Sequence, residues 1–220
     1  MASLPLRLHA ITLADAAHAP MPADGNHTGT FAAIREEIRF IPFRDLCAVV
    51  SDQKEFHLDD VTPADVDQHR NIVDGIFRRT AVLPAPVGAV FRSADVLTKW
   101  MELHYVSLTG ALEFVDDRAA ARVHIVRADG KSEDLEAGSD LAAAAAESVR
   151  ALRRRAVAMV PLRLEQVTGL VLSASFLVER DLWKEFLHAA NEQHDAHHHL
   201  RYEVTGPWAP YDFVRMQFGG

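Results

Sequence analysis

The chain has 220 residues, 49% hydrophobic and 25% charged, the composition of a folded globular protein with one large or two small domains. Its formal charge of -8 speaks against a dedicated nucleic-acid binder, which would carry a basic face. The single cysteine, Cys47, excludes an intrachain disulfide framework, and no apolar run reaches the roughly 18–20 residues that span a bilayer.

Met1 to Leu13 lacks the basic-then-apolar layout of a signal peptide, so the sequence reads as cytosolic. Leu4 to Leu13 is apolar enough for a strand. Ala14 to Thr30, with Pro20, Pro22, Gly25, Asn26 and Gly29, reads as a long loop. Ile38 to Ile41 and Leu46 to Val50 then form a strand pair turning at Asp45, with Cys47 as a small core residue. Thr62 and Pro63 open a helix as N-cap and N1, and Val66, His69, Val73, Ile76 and Phe77 mark its buried stripe.

Ala81 to Phe91 carries Pro84, Pro86 and Gly88. Proline cannot donate to a central ladder, so this stretch is expected at a sheet edge. Ser93 caps a second helix running to Val115–Arg118, with Val96, Trp100, Leu103, Ser107, Ala111 and Phe114 on one face. Trp100 and Phe114 are expected to be buried.

A second block follows. Arg122–Arg127 reads as a strand, Asp129-Gly130 as a turn, and Ser139–Val160 as an alanine-rich helix with Val149, Leu152, Ala156, Met159 and Val160 inward. Gly169–Val178 is a strand, Asp181 to about His197 a helix, and Leu200–Val204 a last strand ended by Gly206-Pro207. The fold class is therefore α+β: two small units, 1–117 and 118–220, each a sheet with helices on one face, the second of βαβαβ type.

Chemistry-bearing clusters are few. His194, His197, His198 and His199 invite a metal, since His194 and His198 would sit at i and i+4 on a helix. The H-E-x-x-H motif is absent, and imidazoles at a helix end also complement its dipole. A metal- or ligand-binding protein using 194–199 is thus the alternative reading. His69, on an apolar face, reads as a core histidine. Asp59-Asp60 and Asp116-Asp117 read as solvated turns, and Arg150, Arg153, Arg154 and Arg155 as a solvated helix end. No nucleophile meets a base, and no phosphate or dinucleotide loop occurs, so neither an enzyme nor a cofactor is expected.

The tail Thr205-Gly206-Pro207-Trp208-Ala209-Pro210-Tyr211-Asp212-Phe213-Val214 is stiff and aromatic. It either folds back on the chain's own core, with Trp208 docked, or meets a partner. It resembles the T-G-P-W-P-P-Y-x-F-V ending of the gas vesicle GvpF/GvpL family, with Ala209 for one proline. Ala81 to Phe91 resembles that family's V-L-P-V-R-F-G-T-V-F segment, with Ala85-Pro86 for Val-Arg. His69 sits where the family also carries a histidine, and Leu46–Ser51 and Leu170–Arg180 look like two of its strands.

The resemblance implies a first domain of modified ferredoxin-like fold. It also implies a non-enzymatic accessory or minor structural role in gas vesicle assembly, in the cytoplasm and at the vesicle. The partners implied are the small apolar shell protein and other gas vesicle proteins, with no nucleic acid and no membrane. The expected contact surface is the edge carrying Val82, Pro84, Pro86, Val87 and Phe91, since an apolar edge shielded by prolines can still accept another chain. The motif residues Gly206, Pro207, Trp208, Tyr211 and Phe213 are read as structural, and the second block as serving orientation or self-association.

Overall fold

The structure, a computed structural model, describes residues 4–17, 38–53, 61–129, 140–163 and 168–216. The expected loop over 14–30 lies mostly outside these residues, as do Asp59-Asp60, Gly130 and the helix cap at Ser139. The chain divides into two compact units, Met1–Asp116 with Val214–Gly220, and Asp117–Phe213. The segment after Phe213 thus groups with the first unit.

The first unit holds β1 (Leu6–Leu13), a 3-10 turn (Ala14–Ala17), β2 (Ile38–Phe43), β3 (Leu46–Asp52), α1 (Pro63–Phe77), β4 (Val82–Pro84), β5 (Val90–Phe91), α2 (Ala94–Leu103) and α3 (Tyr105–Val115). Its sheet is antiparallel in the order β2-β3-β1-β4, and β5 also pairs with β1. The β2–β3 hairpin turns through Arg44 and Asp45. Arg44 adopts φ 55, the positive φ that a tight hairpin turn requires.

Helix α1 starts as its sequence dictates. Thr62 and Asp65 form a reciprocal capping box, and Pro63 fills a position that needs no N–H. Strand side chains alternate between faces, and both faces of this sheet are covered. Leu6, Leu8, Ile11, Leu46, Ala48, Val50 and Leu83 pack with Leu97, Met101, Leu108, Leu112 and Val115 of α2 and α3. Arg7 and His9 point the other way and meet Asp65 and His69 of α1. The α+β class stands, while the single covered face expected here is replaced by two.

The segment 93–118 also differs from expectation. The backbone breaks at His104 into two helices, and the buried stripe is Leu97, Met101, Leu108, Leu112 and Val115. Phe114 is 39% exposed, Trp100 is half-buried, and Val96 and Leu103 face outward. The segment carries two apolar stripes, and the one read from the sequence is not the one the core takes.

The second unit holds β6 (Arg118–Arg127), α4 (Asp140–Arg153), β7 (Ala158–Pro161), β8 (Leu170–Glu179), α5 (Trp183–Ala196), β9 (Leu200–Trp208) and a 3-10 turn (Tyr211–Phe213). Its antiparallel sheet runs β7-β8-β6-β9. Here βαββαβ replaces the expected βαβαβ, because α4 stops at Arg153 and Ala158–Pro161 becomes an edge strand. Val157 and Val160 favour extended backbone, and Pro161 is tolerated at an edge. Both helices lie on one face, where Val149, Leu152, Phe186 and Ala190 close over Val123, Ile125, Phe176 and Val178.

The two sheets share one strand order. Taking each unit's strands in sequence, both run second, third, first, fourth, the ferredoxin-like arrangement. A stitch also recurs: His9 on the first strand bonds Ser51 on the third at 2.9 Å, and His124 bonds Ser173 at 2.8 Å on the equivalent pair.

Candidate functional site

The first unit's buried polar cluster ties α1 to the sheet. Arg7 Nη1 donates to Asp65 Oδ1 at 2.8 Å, and the Arg7 side chain is almost fully enclosed. His9 sits where the β1–β3 register shifts, with Nε2 on Ser51 Oγ and Nδ1 3.2 Å from His69 Nδ1. Burial holds the His9 imidazole down to about 3, helped by His69 and Arg7. Burial likewise holds His69 down to about 4, with Arg7 adding to the depression and the Ala85 carbonyl opposing it. Two neutral rings are therefore shared between strand and helix. Asp65 is held below the usual carboxylate range, first by the Thr62 hydroxyl and then by Arg7. This cluster serves packing: its two central rings are buried and neutral, and its charged pair ties the helix to the sheet. Cys47 is equally inert, its buried thiol pushed up to about 11.

The expected contact edge is split by burial. Val82, Pro84 and Phe91 are buried, Val87 is half-buried and Pro86 is exposed. Pro84 pairs with Ala10 and Phe91 with Leu6, so β4 and β5 form one interrupted outer strand along β1. Between them Pro86–Gly88 turns, with Gly88 at φ 97, and the Ala89 carbonyl rejoins β1 by accepting from the Leu8 N–H at 2.8 Å.

The tail motif is woven into the second sheet. β9 does not end at Gly206-Pro207 but continues to Trp208, which pairs with Ala120 across a cis peptide at Pro207. Gly206, at φ +134, allows no side chain. A Cβ there would stand 2.7 Å from the Ala120 carbonyl oxygen and 2.8 Å from the Trp183 ring. Trp208 is 41% exposed, with its indole N–H on Thr205 Oγ1 at 3.1 Å, so it lies along the sheet rather than in a core. What pins the tail is a fork the sequence reading missed: Arg122 Nε and Nη2 donate to both oxygens of Asp212, each at 2.9 Å. Tyr211 and Phe213 flank that aspartate, both half-buried. Ninety residues separate the two partners, so no local signal announces the pair.

The histidine-rich segment does not form the i and i+4 pair on which the alternative metal-binding reading depends. Helix α5 ends at Ala196, so His197, His198 and His199 lie beyond it, and His194 sets its ring edge against Tyr202. Among the described residues no three histidine, cysteine or carboxylate groups gather as metal ligands. No described helix is long and apolar enough to cross a membrane.

Comparison with known proteins decides the family. Over 99% of both chains the fold is similar to the crystal structure of the gas vesicle protein GvpF from Anabaena, with a TM-score of 0.73 at 15% identity. The GvpF structure from Microcystis aeruginosa gives 0.69 at 12% identity, over 97% of this chain and 100% of that one. In sequence the chain is 28% identical to gas vesicle protein F2 of Halobacterium salinarum over 81% of each, and 23% identical to gas vesicle protein F1 over 84% of each. The family model described as gas vesicle synthesis protein GvpL/GvpF matches residues 10–147 and 127–215. The chain belongs to the GvpL/GvpF family.

As a GvpL/GvpF protein it takes part in gas vesicle formation, and its family is of a non-enzymatic kind. In this family member the Gly206–Phe213 tail is a strand end pinned by a fork, and the proline-bearing edge is an interrupted outer strand.

Proposed function

We propose that this chain is a non-enzymatic accessory or minor wall component that binds the small apolar shell protein of gas vesicles during assembly. The carrying observation is the family match over residues 10–215, in a chain whose described polar clusters serve packing. An apolar shell protein must be kept from aggregating before it joins the wall, and a folded partner with an apolar edge performs that task without chemistry. The turn at exposed Pro86 and half-buried Val87 is the accessible part of the edge assigned to the contact, while Val82, Pro84 and Phe91 are buried behind it. Other gas vesicle proteins are its further partners, and the vesicle is where it acts.

The test is co-expression of the full chain with the shell protein, followed by pull-down. Retention of shell protein by wild type, and its loss on Val87→Asp with thermal stability unchanged, is the expected result. No retention by wild type overturns the shell-binding reading, and retention unaffected by Val87→Asp overturns the surface.

A further inference from the structure

An outer strand points alternate N–H and C=O groups away from its sheet, and proteins block such edges, most simply with proline. Three outer strands here are blocked in this way. The hydrogen bonds that fix the phase of each ladder turn Pro42 of β2, Pro84 of β4 and Pro161 of β7 outward, where each removes a donor. β5, two residues long, is too short to be a template. β9, the last strand of the second sheet, is the exception. Ala128 N–H donates to the His199 carbonyl, so Arg201, Glu203 and Thr205 bond inward to β6 while Leu200, Tyr202 and Val204 turn their backbone groups outward. Leu200 N–H is taken by the His197 carbonyl at 2.8 Å, which leaves its C=O. Among the described residues the N–H groups of Tyr202 and Val204 meet no acceptor.

The side chains say which strand fits this edge. Leu200-Arg201-Tyr202-Glu203-Val204 reads apolar, basic, aromatic, acidic, apolar, and it matches itself when turned antiparallel about Tyr202. In that register Tyr202 faces Tyr202, Leu200 faces Val204 and Arg201 faces Glu203. Tyr202 N–H then donates to Tyr202 C=O of the other copy, and Val204 N–H to Leu200 C=O. Arg201 and Glu203 stand at the closely spaced positions, where opposite charges stabilise and like charges repel. Moving the axis one residue either way sets Arg201 against Arg201 or Glu203 against Glu203, so charge selects the register. Within one strand the two side chains already pair at 2.7 Å, both exposed, so a second copy closes a ring of alternating charges and strands none. A foreign strand would need this order of charges; a second copy carries it by construction.

We infer that β9 is an interface between two copies of this chain, joined antiparallel through Leu200–Val204 about a twofold axis at Tyr202. The second unit's sheet then continues into that of the other copy. This gives the self-association expected of the second unit a surface, and it stands whether or not the first unit's proline-bearing edge meets the shell protein.

Sedimentation equilibrium of the full chain tests it, with hydrogen exchange on the same samples. A reversible monomer–dimer equilibrium is expected below about 1 mM. The Tyr202 and Val204 amides should gain protection as the dimer fills, while the Glu203 amide, already bonded to β6, should not change. Arg201→Glu and Glu203→Arg should each weaken dimerisation by about tenfold or more at about 50 mM salt. Their melting temperatures should stay close to wild type, because both side chains lie in water. Mixing the two variants should restore association, since their charges at these positions are then opposite. A chain that stays monomeric to that concentration, a dimer that leaves both amides unprotected, indifference to the charge reversals, or a mixture that fails to associate would each overturn the inference.

Discussion

His9 and His69, sixty residues apart, face each other Nδ1 to Nδ1 at 3.2 Å inside the first unit, one on β1 and one on α1. Only one of the two nitrogens carries a proton in that arrangement, so the pair is stable while both rings are neutral. Arg7, itself paired with Asp65, is the charge that acts on both rings.

Acid should therefore destabilise the first unit well above the carboxylate range. Unfolded histidines take up protons near pH 6.5, whereas the folded rings resist down to about 4 and about 3. A depressed folded value means the stability is fully present above the unfolded pKa. It is lost as pH falls from about 6.5 toward 4, where the folded rings begin to charge too. Between pH 7 and pH 5 the loss should reach about 3–4 kcal/mol for the pair. Urea unfolding across that range checks it. A double His9→Gln, His69→Gln variant should show a flatter limb, and an equally steep one would refute the assignment.

Asp212→Asn should loosen the tail. The fork to Arg122 is bidentate, but the arginine side chain is 41% exposed, so screening limits its worth to about 1 kcal/mol. Hydrogen exchange of β9 amides near Thr205 should quicken in the variant and not in a remote control.

Gly206→Ala should be the most damaging change in the tail. The added methyl meets backbone at 2.7 Å and a packed tryptophan ring, at a φ alanine avoids. A loss of about 2–4 kcal/mol is expected in chemical denaturation. Wild-type stability would show that β9 lies differently.

Trp208→Ala should destabilise only mildly. A fully buried aromatic truncation typically loses about 3–5 kcal/mol, but this ring is partly in water and anchored by one bond to Thr205. A loss of about 1–2 kcal/mol is expected from the buried part of the ring. A larger value by urea titration would mean the ring is enclosed.

The sequence by itself determined those features whose causes are local. Thr62-Pro63 starts a helix because the cap and the missing N–H act within four residues. Ile38–Val50 makes a hairpin because two apolar runs flank a two-residue turn, and Pro84 with Pro86 assigns that segment to an edge because proline lacks a donor. The family was legible for the same reason, in contiguous motifs such as Gly206-Pro207-Trp208.

Only the tertiary structure decided which of two apolar stripes on 94–115 enters the core. Both satisfy helical spacing, and the choice depends on which side the sheet approaches. It also decided that Ala158–Pro161 leaves its helix to pair with β8, since an edge strand is defined by the neighbour it finds. The pairs His9–His69 and Arg122–Asp212 belong to the same class. Each joins side chains 60 or 90 residues apart, and nothing in the local chemistry of either residue encodes the distance that folding closes.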